Sequence, residues 1–286
     1  MDLAFFLIQL LNGVQYGLLL FLVASGLTLV FGIMGIINLA HGAMYMIGAY
    51  LAFSFTSLTG SLVLAILLGI PVVIAIGLLI ERFLITYLYE RNHLDQVLLT
   101  YGIILVFGEA QKIIWGSDVH SVPVPEMFAF SIPLTANLSY PAYRLVISAV
   151  CLILAVGMYL LIQKTRLGMT IRAGADNREM VEGLGINVRT LFTLIFAGGV
   201  ALAAFAGMIA APLSSVYPGM GDTILIVCFV VVVIGGIGSI KGAFLGAMLI
   251  GLADTFGAVL LPQFASLIVY ALMAVVLLWR PRGLFA

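Results

Sequence analysis

Long apolar runs, separated by short polar or glycine-rich stretches, extend over almost the whole chain. A run of about 17 or more apolar residues is long enough to cross a bilayer as a helix. Such runs lie near Gln9–Phe31, Ile37–Leu58, Leu62–Ile80, Gln96–Trp115, Tyr143–Ile162 and Leu191–Ala211. A longer tract, Thr223–Leu278, has room for two spans plus a half-helix or for three short spans. The pattern predicts an all-α, polytopic membrane protein with eight or nine transmembrane helices, some interrupted, in one domain over 1–286.

The composition agrees with lipid as the surrounding solvent. Of the 286 residues, 64% are hydrophobic and 8% are charged, whereas a soluble domain has roughly 25% charged residues. Lys+Arg and Asp+Glu both number 12, so the chain lacks the basic face of a nucleic-acid-binding protein. Uninterrupted apolar runs also exclude an outer-membrane barrel, whose strands alternate polar and apolar residues. The cysteines and histidines are scattered, so we expect no metal site on this chain.

The basic residues predict the orientation of the chain in the membrane. They gather in the connections 81–95 and 164–190 and in the tail after Trp279, and the positive-inside rule places these segments in the cytoplasm. The connection 116–141 has no Lys or Arg and contains four prolines. We expect it to be a stiff, extended outer loop that covers a pore mouth, meets an external partner or merely connects two spans. The N-terminus is then outside and the C-terminus is cytoplasmic.

Small residues recur at helical spacing in two places. Gly199, Ala203 and Gly207 follow one another every four residues, and Gly242 and Gly246 have the same spacing. Because lipid gives helices no hydrophobic reason to associate, such stripes are typical of close helix packing.

Two glycine-dense segments, 26–50 and 230–254, share a Gly-Ala-Met triplet and a similar sequence of apolar and small residues. Internal repeats with interrupted helices are typical of transporters. The alternative is a chance similarity between two glycine-rich apolar segments.

Polar residues inside the apolar runs are candidates for a functional site, since they are costly in a bilayer. Asn38 and His41 are three residues apart, with Tyr45 one turn later, so a continuous helix would place them on one face. We interpret them as candidates for a polar substrate path. The alternative is that they only bond to neighbouring helices. The other polar residues within the runs are Asn12, Gln15, Glu109 and Asp254.

The connection 164–190 contains a predicted short amphipathic helix, Asn177–Leu184. Asp176 and Glu179 have the spacing of an N-cap and capping box, and Gly185 supplies a C-terminal stop. A helix this short is not stable alone, so lipid headgroups, the membrane domain or a cytoplasmic protein must receive its apolar face. That face would carry Met180, Val181 and Leu184.

Three segments in order, GIMGIINLAHGAMYMIGAY, RAGADNREMVEGLGINV and VVVVIGGIGSIKGAFLGA, resemble the LivH-type permeases of branched-chain amino acid ABC importers. The resemblance extends over nearly the whole chain. It implies a non-enzymatic permease subunit in the bacterial inner membrane, forming half of the pore of an ATP-driven importer. The cargo would be branched-chain or other hydrophobic amino acids. Related importers of urea, short amides or aromatic acids remain open.

The resemblance also implies partners. They are a second, related permease, two cytoplasmic ATPases and a periplasmic binding protein that delivers the substrate. We expect the second permease to be a different chain, although a copy of this one remains open. ATP and Mg²⁺ would bind to the ATPases, with no cofactor on this chain.

In such importers a short cytoplasmic helix of the permease docks in a groove of the ATPase. By position this coupling helix would lie within Ala173–Asn187, with the residues Asp176, Glu179, Met180, Val181, Leu184 and Gly185. The helix-breaking segments of the family would correspond to Asn38–Gly42 and Gly235–Gly242.

Two other classes of protein share single features with this sequence. Gly219–Asp222 matches the G-x-G-D string of intramembrane aspartyl proteases, but that chemistry needs two carboxylates in one site, and the chain has no Tyr-Asp pair. An ion-coupled secondary carrier would use Glu109 or Asp254, and its transport would survive when the ATPases are disabled. The phosphate-binding string G-x-x-x-x-G-K-S/T is absent, so ATP would bind elsewhere.

Overall fold

The apolar runs fold into long helices. A computed structural model describes residues 3–89, 91–135 and 138–285. Its α-helices are α1 Leu3–Met34, α2 His41–Thr59, α3 Leu62–Phe83, α4 His93–Trp115, α5 Ala142–Lys164, α6 Arg166–Asp176, α7 Arg178–Gly183, α8 Val188–Ala210, α9 Met220–Gly235, α10 Ile240–Leu260 and α11 Ala265–Trp279. Short 3-10 helices occur at Ile85–Leu88, Glu126–Phe128 and Pro262–Phe264.

The protein is a polytopic, helical membrane protein, as predicted. Six helices, α1, α3, α4, α5, α8 and α10, are long and apolar enough to cross a membrane, and α9 and α11 contain shorter apolar helical stretches. The late apolar tract folds as three helices, the first of which already begins at Met220. The number of eight or nine spans stays a prediction.

A small hairpin is the exception to the all-α expectation. Strands β1 Ser131–Thr135 and β2 Leu138–Pro141 pair antiparallel within the connection between α4 and α5, and positions 136–137 lie outside the described residues. Before the hairpin, the described residues of this connection have no regular secondary structure apart from a single bridge at His120 and the 3-10 helix Glu126–Phe128, and its role as an outer loop stays a prediction. The same connection is tied to the one between α8 and α9, because His120 and Val216 exchange two backbone hydrogen bonds of 2.8 Å.

Helix α1 lies in the centre of the bundle and packs against α5, α8, α9 and α10. Its middle stretch, 18–27, is buried at every position. Helices α3, α4 and α5 instead leave most of their residues uncovered. An apolar helix that is exposed in this way needs lipid or another membrane protein around it.

The small residues of α8 lie where this helix meets α1 and α2. A Cβ on Gly26 of α1 would overlap Gly199, and a Cβ on Gly207 would overlap the backbone of Tyr45. Ala203, between them, is fully buried. Replacing Gly199 or Gly207 by larger residues would therefore push α1 or α2 away from α8.

The small residues of α10 face α9 and α1. Gly242 lies directly against Gly235, and Gly246 lies against Val231. A Cβ on Gly242 would overlap the carbonyl oxygen of Gly235. Because both partners at this point are backbone atoms, neither can move aside.

Two breaks interrupt the helical path, and both begin with glycine in the left-handed region. The first break is 35–40, with Gly35 at φ 67°, and the second is 236–239, with Gly236 at φ 98°. The sequence-based expectation that a span begins at Ile37 is wrong, since helix α2 begins only at His41. The side chain of Asn38 bonds to the backbone two residues on, which favours a turn over a helix.

Candidate functional site

Two regions with functional character lie at opposite ends of the bundle. The first is a cavity of about 400 Å³, which we call the polar cavity. It is lined by residues near the start of α1 and α5, the end of α8 and the later part of α10. Its lining residues are Gln9, Asn12, Gln15, Tyr16, Leu19, Tyr45, Arg144, Ala210, Leu213, Ser214, Asp254, Thr255, Ala258 and Val259.

Arg144, near the start of α5, supplies the positive charge of the polar cavity. One terminal nitrogen of its guanidinium group donates to Asn12 Oδ1 at 3.0 Å and to Gln15 Oε1 at 3.4 Å. Tyr140 of β2 donates to the same Asn12 oxygen at 3.1 Å. These neutral acceptors hold the guanidinium group in place without neutralising it.

Asp254 of α10 supplies the negative charge of the same cavity. It is partly buried, and its carboxylate makes no hydrogen bond or ion pair with any residue that the structure describes. An ion pair of the described residues, Lys112–Glu109 at 2.7 Å, lies elsewhere, on the exposed side of α4. Arg144 and Asp254 therefore face one cavity with opposite charges and remain apart.

Of the three residues predicted for a substrate path, only Tyr45 lines the polar cavity. Asn38 and His41 are buried, with 1% and 0% of their surfaces exposed. Asn38 also precedes helix α2, so the expectation that the three residues share one helical face is corrected. The role of these residues in a substrate path stays a prediction.

Asn38 and His41 make local and interhelical hydrogen bonds. Asn38 Oδ1 accepts from the backbone N–H of Ala40 at 3.1 Å, and His41 Nε2 lies 2.9 Å from the carbonyl oxygen of Val23 in α1. The other ring nitrogen of His41 has no partner among the described residues. Since Val23 offers only an acceptor, His41 Nε2 is assigned as the protonated nitrogen.

Gln96 of α4 is a buried polar residue that the sequence analysis did not single out. Its Oε1 accepts from the backbone N–H of Ile37 at 3.3 Å, and its Nε2 donates to the carbonyl of Leu88 at 3.3 Å. The hydroxyl of Thr100, one turn later, donates to the carbonyl of Gln96 at 2.8 Å and lies 3.4 Å from the carbonyl oxygen of Ile37. These two side chains fasten the first break to α4. No sequence signal identified this pairing, because Gln96 stands next to a polar connection.

The second region is the connection between α5 and α8, at the end of the bundle opposite the polar cavity. It forms two helices, α6 and α7, where the sequence predicted one. The N-cap of α7 is Asn177, which accepts from Met180 N at 2.9 Å, so the predicted cap at Asp176 with Glu179 is wrong. Asp176 is the last residue of α6 and cannot adopt the non-helical conformation of a cap.

The end of α7 is as predicted. Gly185 adopts φ 81°, and the backbone N–H of Ile186 donates back to Val181 at 3.3 Å, an arrangement typical of a glycine-terminated helix. The three apolar residues of α7 separate into two groups. Val181 is 2% exposed, whereas Met180 is 64% and Leu184 is 75% exposed. Val181 is therefore buried against this chain, where α7 contacts α6 and α8. The side chains of Met180 and Leu184 remain uncovered.

A buried contact connects the start of α8 with the end of α3. The hydroxyl of Tyr89 donates a hydrogen bond to the buried carboxylate of Glu81, and its ring packs edge-on against Phe192 of α8 at 5.2 Å. Burial raises the pKa of Tyr89 above its usual range, and the bond to Glu81 adds to the rise. Tyr89 is therefore neutral and holds its proton in this contact.

Comparisons with known proteins give the family. Residues 9–277 match the family described as branched-chain amino acid transport system, permease component. The chain belongs to this family. It is 35% identical to the high-affinity branched-chain amino acid permease protein BraD of Pseudomonas aeruginosa, over 98% of the chain and 95% of that protein. It is 31% identical to LivH of Escherichia coli, with the same two coverages.

A more distant relative is the Escherichia coli permease protein LivM, at 26% identity over 91% of the chain and 66% of that protein. No solved structure matches the chain. As a member of a permease family, the protein is a membrane transport component. Among the described residues, no group of three or more His, Cys, Asp or Glu side chains could hold a metal ion.

Proposed function

We propose that this chain is one permease subunit of an ATP-driven importer and forms half of its translocation pore for branched-chain amino acids. The observation that carries the proposal is the similarity to BraD and LivH along almost the whole chain. Both are described as permeases of high-affinity branched-chain amino acid transport systems. The apolar, incompletely covered bundle suits a subunit that packs against another membrane protein.

The other half of the pore would be a second, related permease. The relationship of this chain to both LivH and LivM of one organism supports a heterodimer. Two cytoplasmic ATPases would bind ATP and Mg²⁺, and a periplasmic binding protein would deliver the substrate. The chain itself would hold no cofactor and carry out no catalysis.

The basic connections would lie in the cytoplasm of a bacterium, with the N-terminus in the periplasm and the C-terminus in the cytoplasm. In this orientation α6 and α7 face the cytoplasm. The polar cavity, at the opposite ends of α1, α5 and α8, faces the periplasm, the side from which a binding protein would release its substrate.

Met180 and Leu184 would be the contacts of the coupling helix with an ATPase. Both are exposed apolar side chains on the short segment between α6 and α8, and a groove of the partner would cover them. Closure of the ATPases would push α7 and, through it, α8. Since α8 packs on α1 and α2 through Gly199 and Gly207, its movement would reach Tyr45 and the polar cavity.

Tyr45 would line the substrate path. Asn38 and His41 would support it indirectly, because their hydrogen bonds hold the start of α2 in place. The Tyr89 contact would carry movement of α8 to α3 at the cytoplasmic end.

Uptake of radiolabelled leucine tests the proposed function. We expect cells that lack this chain to lose ATP-dependent leucine uptake, and a plasmid copy to restore it. A second arm disables the ATPases and keeps the ion gradient intact. Uptake that survives this treatment would identify an ion-coupled carrier instead.

Copurification followed by mass spectrometry tests the proposed assembly. It should find two ATPase chains and a second permease together with this chain. A chain that purifies alone yet transports leucine would contradict the assembly.

The double variant Met180→Asp, Leu184→Asp tests the docking of α7. Two charges on exposed positions should leave the chain folded in the membrane but uncouple ATP hydrolysis from uptake. The matched control is the double variant Met180→Leu, Leu184→Met, which keeps both exposed positions apolar and should leave uptake coupled to ATP hydrolysis. Normal uptake by the aspartate double variant would refute the docking assignment.

A further inference from the structure

We propose that the polar cavity binds the charged backbone of a free α-amino acid, with Arg144 contacting the α-carboxylate and Asp254 contacting the α-ammonium group. This inference rests on the proposed function and assigns a binding site within it. The observation behind it is the placement of two opposite, unpaired charges on the wall of one cavity. Nothing in the sequence pattern had connected these two residues, which lie 110 positions apart.

The charge arrangement is the first argument. Opposite charges in a partly buried site normally approach each other, since an ion pair offsets the cost of desolvation. Arg144 and Asp254 do not form an ion pair. A zwitterion placed between them would give each group the counter-charge that it lacks, and no single ion would do this for both.

The second argument is the way in which Arg144 is held. Asn12 and Gln15 both occupy the same terminal nitrogen of the guanidinium group, and their oxygens carry no formal charge. A guanidinium group has five N–H donors, and a carboxylate can accept two of them side by side. The hydrogen bonds to α1 therefore fix the orientation of the side chain while leaving donors for a ligand.

The third argument is the remaining lining of the cavity. A volume of about 400 Å³ lies within the roughly 300–1,000 Å³ that small-molecule sites occupy. Beside the charged pair the wall has seven uncharged polar residues and five apolar residues, and the apolar ones could contact an aliphatic side chain. The apolar residues that line it are Leu19, Ala210, Leu213, Ala258 and Val259.

The location of the cavity agrees with this role. Tyr140, from the hairpin between α4 and α5, donates a hydrogen bond to Asn12, which lines the cavity, so this connection contacts a residue of the cavity wall. Helix α1 carries Asn12 and also packs on α8. An amino acid bound here would therefore contact the helices through which the coupling segment is expected to act.

The test uses the assembled importer in lipid nanodiscs, without the binding protein. Ser214 lines the cavity and is exposed, so Ser214→Cys provides a reactive thiol, whereas the native Cys151 and Cys228 are buried. The rate at which a methanethiosulfonate reagent modifies this thiol is measured with leucine present or absent. We expect leucine to slow the reaction, and we expect isopentylamine, 4-methylpentanoate or acetamide at the same concentration to leave it unchanged.

Variants in the Ser214→Cys background assign the two charges. Arg144→Gln and Asp254→Asn should each raise the leucine concentration needed for protection roughly tenfold or more, since each removes one charge-assisted contact. Arg144→Lys should restore part of the protection. Lys112→Gln and Glu109→Gln remove the exposed ion pair on α4 and should change nothing. Size-exclusion chromatography checks that every variant is assembled.

The outcomes separate the site from the proposed function. Two results would overturn the zwitterion site and leave the proposed function intact. In the first, the importer takes up leucine, but leucine does not protect the Ser214→Cys thiol. In the second, leucine protects this thiol as well in the Arg144→Gln and Asp254→Asn variants as it does without them. Protection by acetamide alone would overturn the site in favour of a neutral amide ligand. A wild-type importer that does not take up leucine would instead refute the proposed function.

Discussion

The two helix breaks differ in the groups that supply hydrogen bonds to the backbone where the helices are interrupted. The first, 35–40, uses side chains: Asn38 and Gln96 accept from the backbone N–H groups of Ala40 and Ile37, and the hydroxyl of Thr100 lies 3.4 Å from the carbonyl oxygen of Ile37. The second, 236–239, uses mainly backbone, together with one side chain, Ser239, whose hydroxyl accepts from the N–H of Gly242 at 3.2 Å. Leu284 and Phe285 of the C-terminal tail donate to the carbonyls of Ile234 and Gly235 at 2.9 and 3.1 Å.

The length of each break explains the difference. Six residues lie between α1 and α2, and four lie between α9 and α10. A longer break leaves more buried backbone groups without helical partners, and each of them needs a hydrogen bond. A shorter break lets the flanking helices touch, which requires glycine at the contact. The first break should therefore be sensitive to loss of polar groups and the second to added volume.

The largest expected effect comes from adding volume beside the second break. Gly242→Ala should destabilise the chain by about 3 kcal/mol, because the new methyl group would overlap the backbone of Gly235. The melting temperature of the detergent-solubilised protein measures this. Gly102→Ala is the control, since nothing lies within 4 Å of a Cβ there, and it should melt at the same temperature or slightly higher. Equal melting of the two variants would contradict the backbone contact.

The next effect concerns the polar groups of the first break. Asn38→Leu should cost about 1–3 kcal/mol, because it leaves the buried N–H of Ala40 without its acceptor. Asn38→Ser keeps an acceptor of the same local type and should lose less. The same melting assay decides, and a leucine variant as stable as the wild type would show that this hydrogen bond is dispensable.

A smaller effect isolates backbone strain. Gly35 has φ 67° with nothing within 4 Å of a Cβ, so Gly35→Ala should cost about 1–2 kcal/mol through conformation alone. Gly35→Asn should be milder, because asparagine tolerates this region better. If both variants melt like the wild type, the turn is free to adopt another conformation.

His41→Leu should have the smallest effect on stability, within about 1 kcal/mol, because it removes one hydrogen bond to a carbonyl that already belongs to α1. It should slow leucine uptake by loosening the start of α2 near Tyr45. Uptake and its concentration dependence are measured in the cells used for the deletion test. If neither changes, the path hypothesis fails for His41, and this residue serves only to pack α2 against α1.

Much of the architecture could be predicted from the sequence. The apolar runs predicted the helical, polytopic class and the approximate positions of the long helices. Whether a segment crosses a bilayer depends on its own length and hydrophobicity, which are local properties of the sequence. Gly185 predicted the end of α7 because a left-handed residue is a local requirement. The three ordered motifs predicted the family, which the match over 9–277 confirms.

Local reasoning failed where neighbouring elements compete for the same residues. Asp176 has the right spacing for a cap, but α6 extends through it and Asn177 takes the capping position. Likewise, helical spacing alone placed Asn38 on α2, although its side chain stabilises a turn. In both cases a hydrogen bond to a nearby backbone group decided between two conformations that the pattern allowed.

Only the tertiary structure brought Arg144 and Asp254 to one cavity. Each had a local interpretation: Arg144 stood near the edge of a span, and Asp254 was one of several isolated acidic residues. Their meeting depends on both α5 and α10 packing against α1. The sequence determines which segments enter the membrane, because that depends on each segment's own transfer free energy. The packing of small residues between distant helices decides which polar groups face one another, because it depends on contacts that no single segment contains.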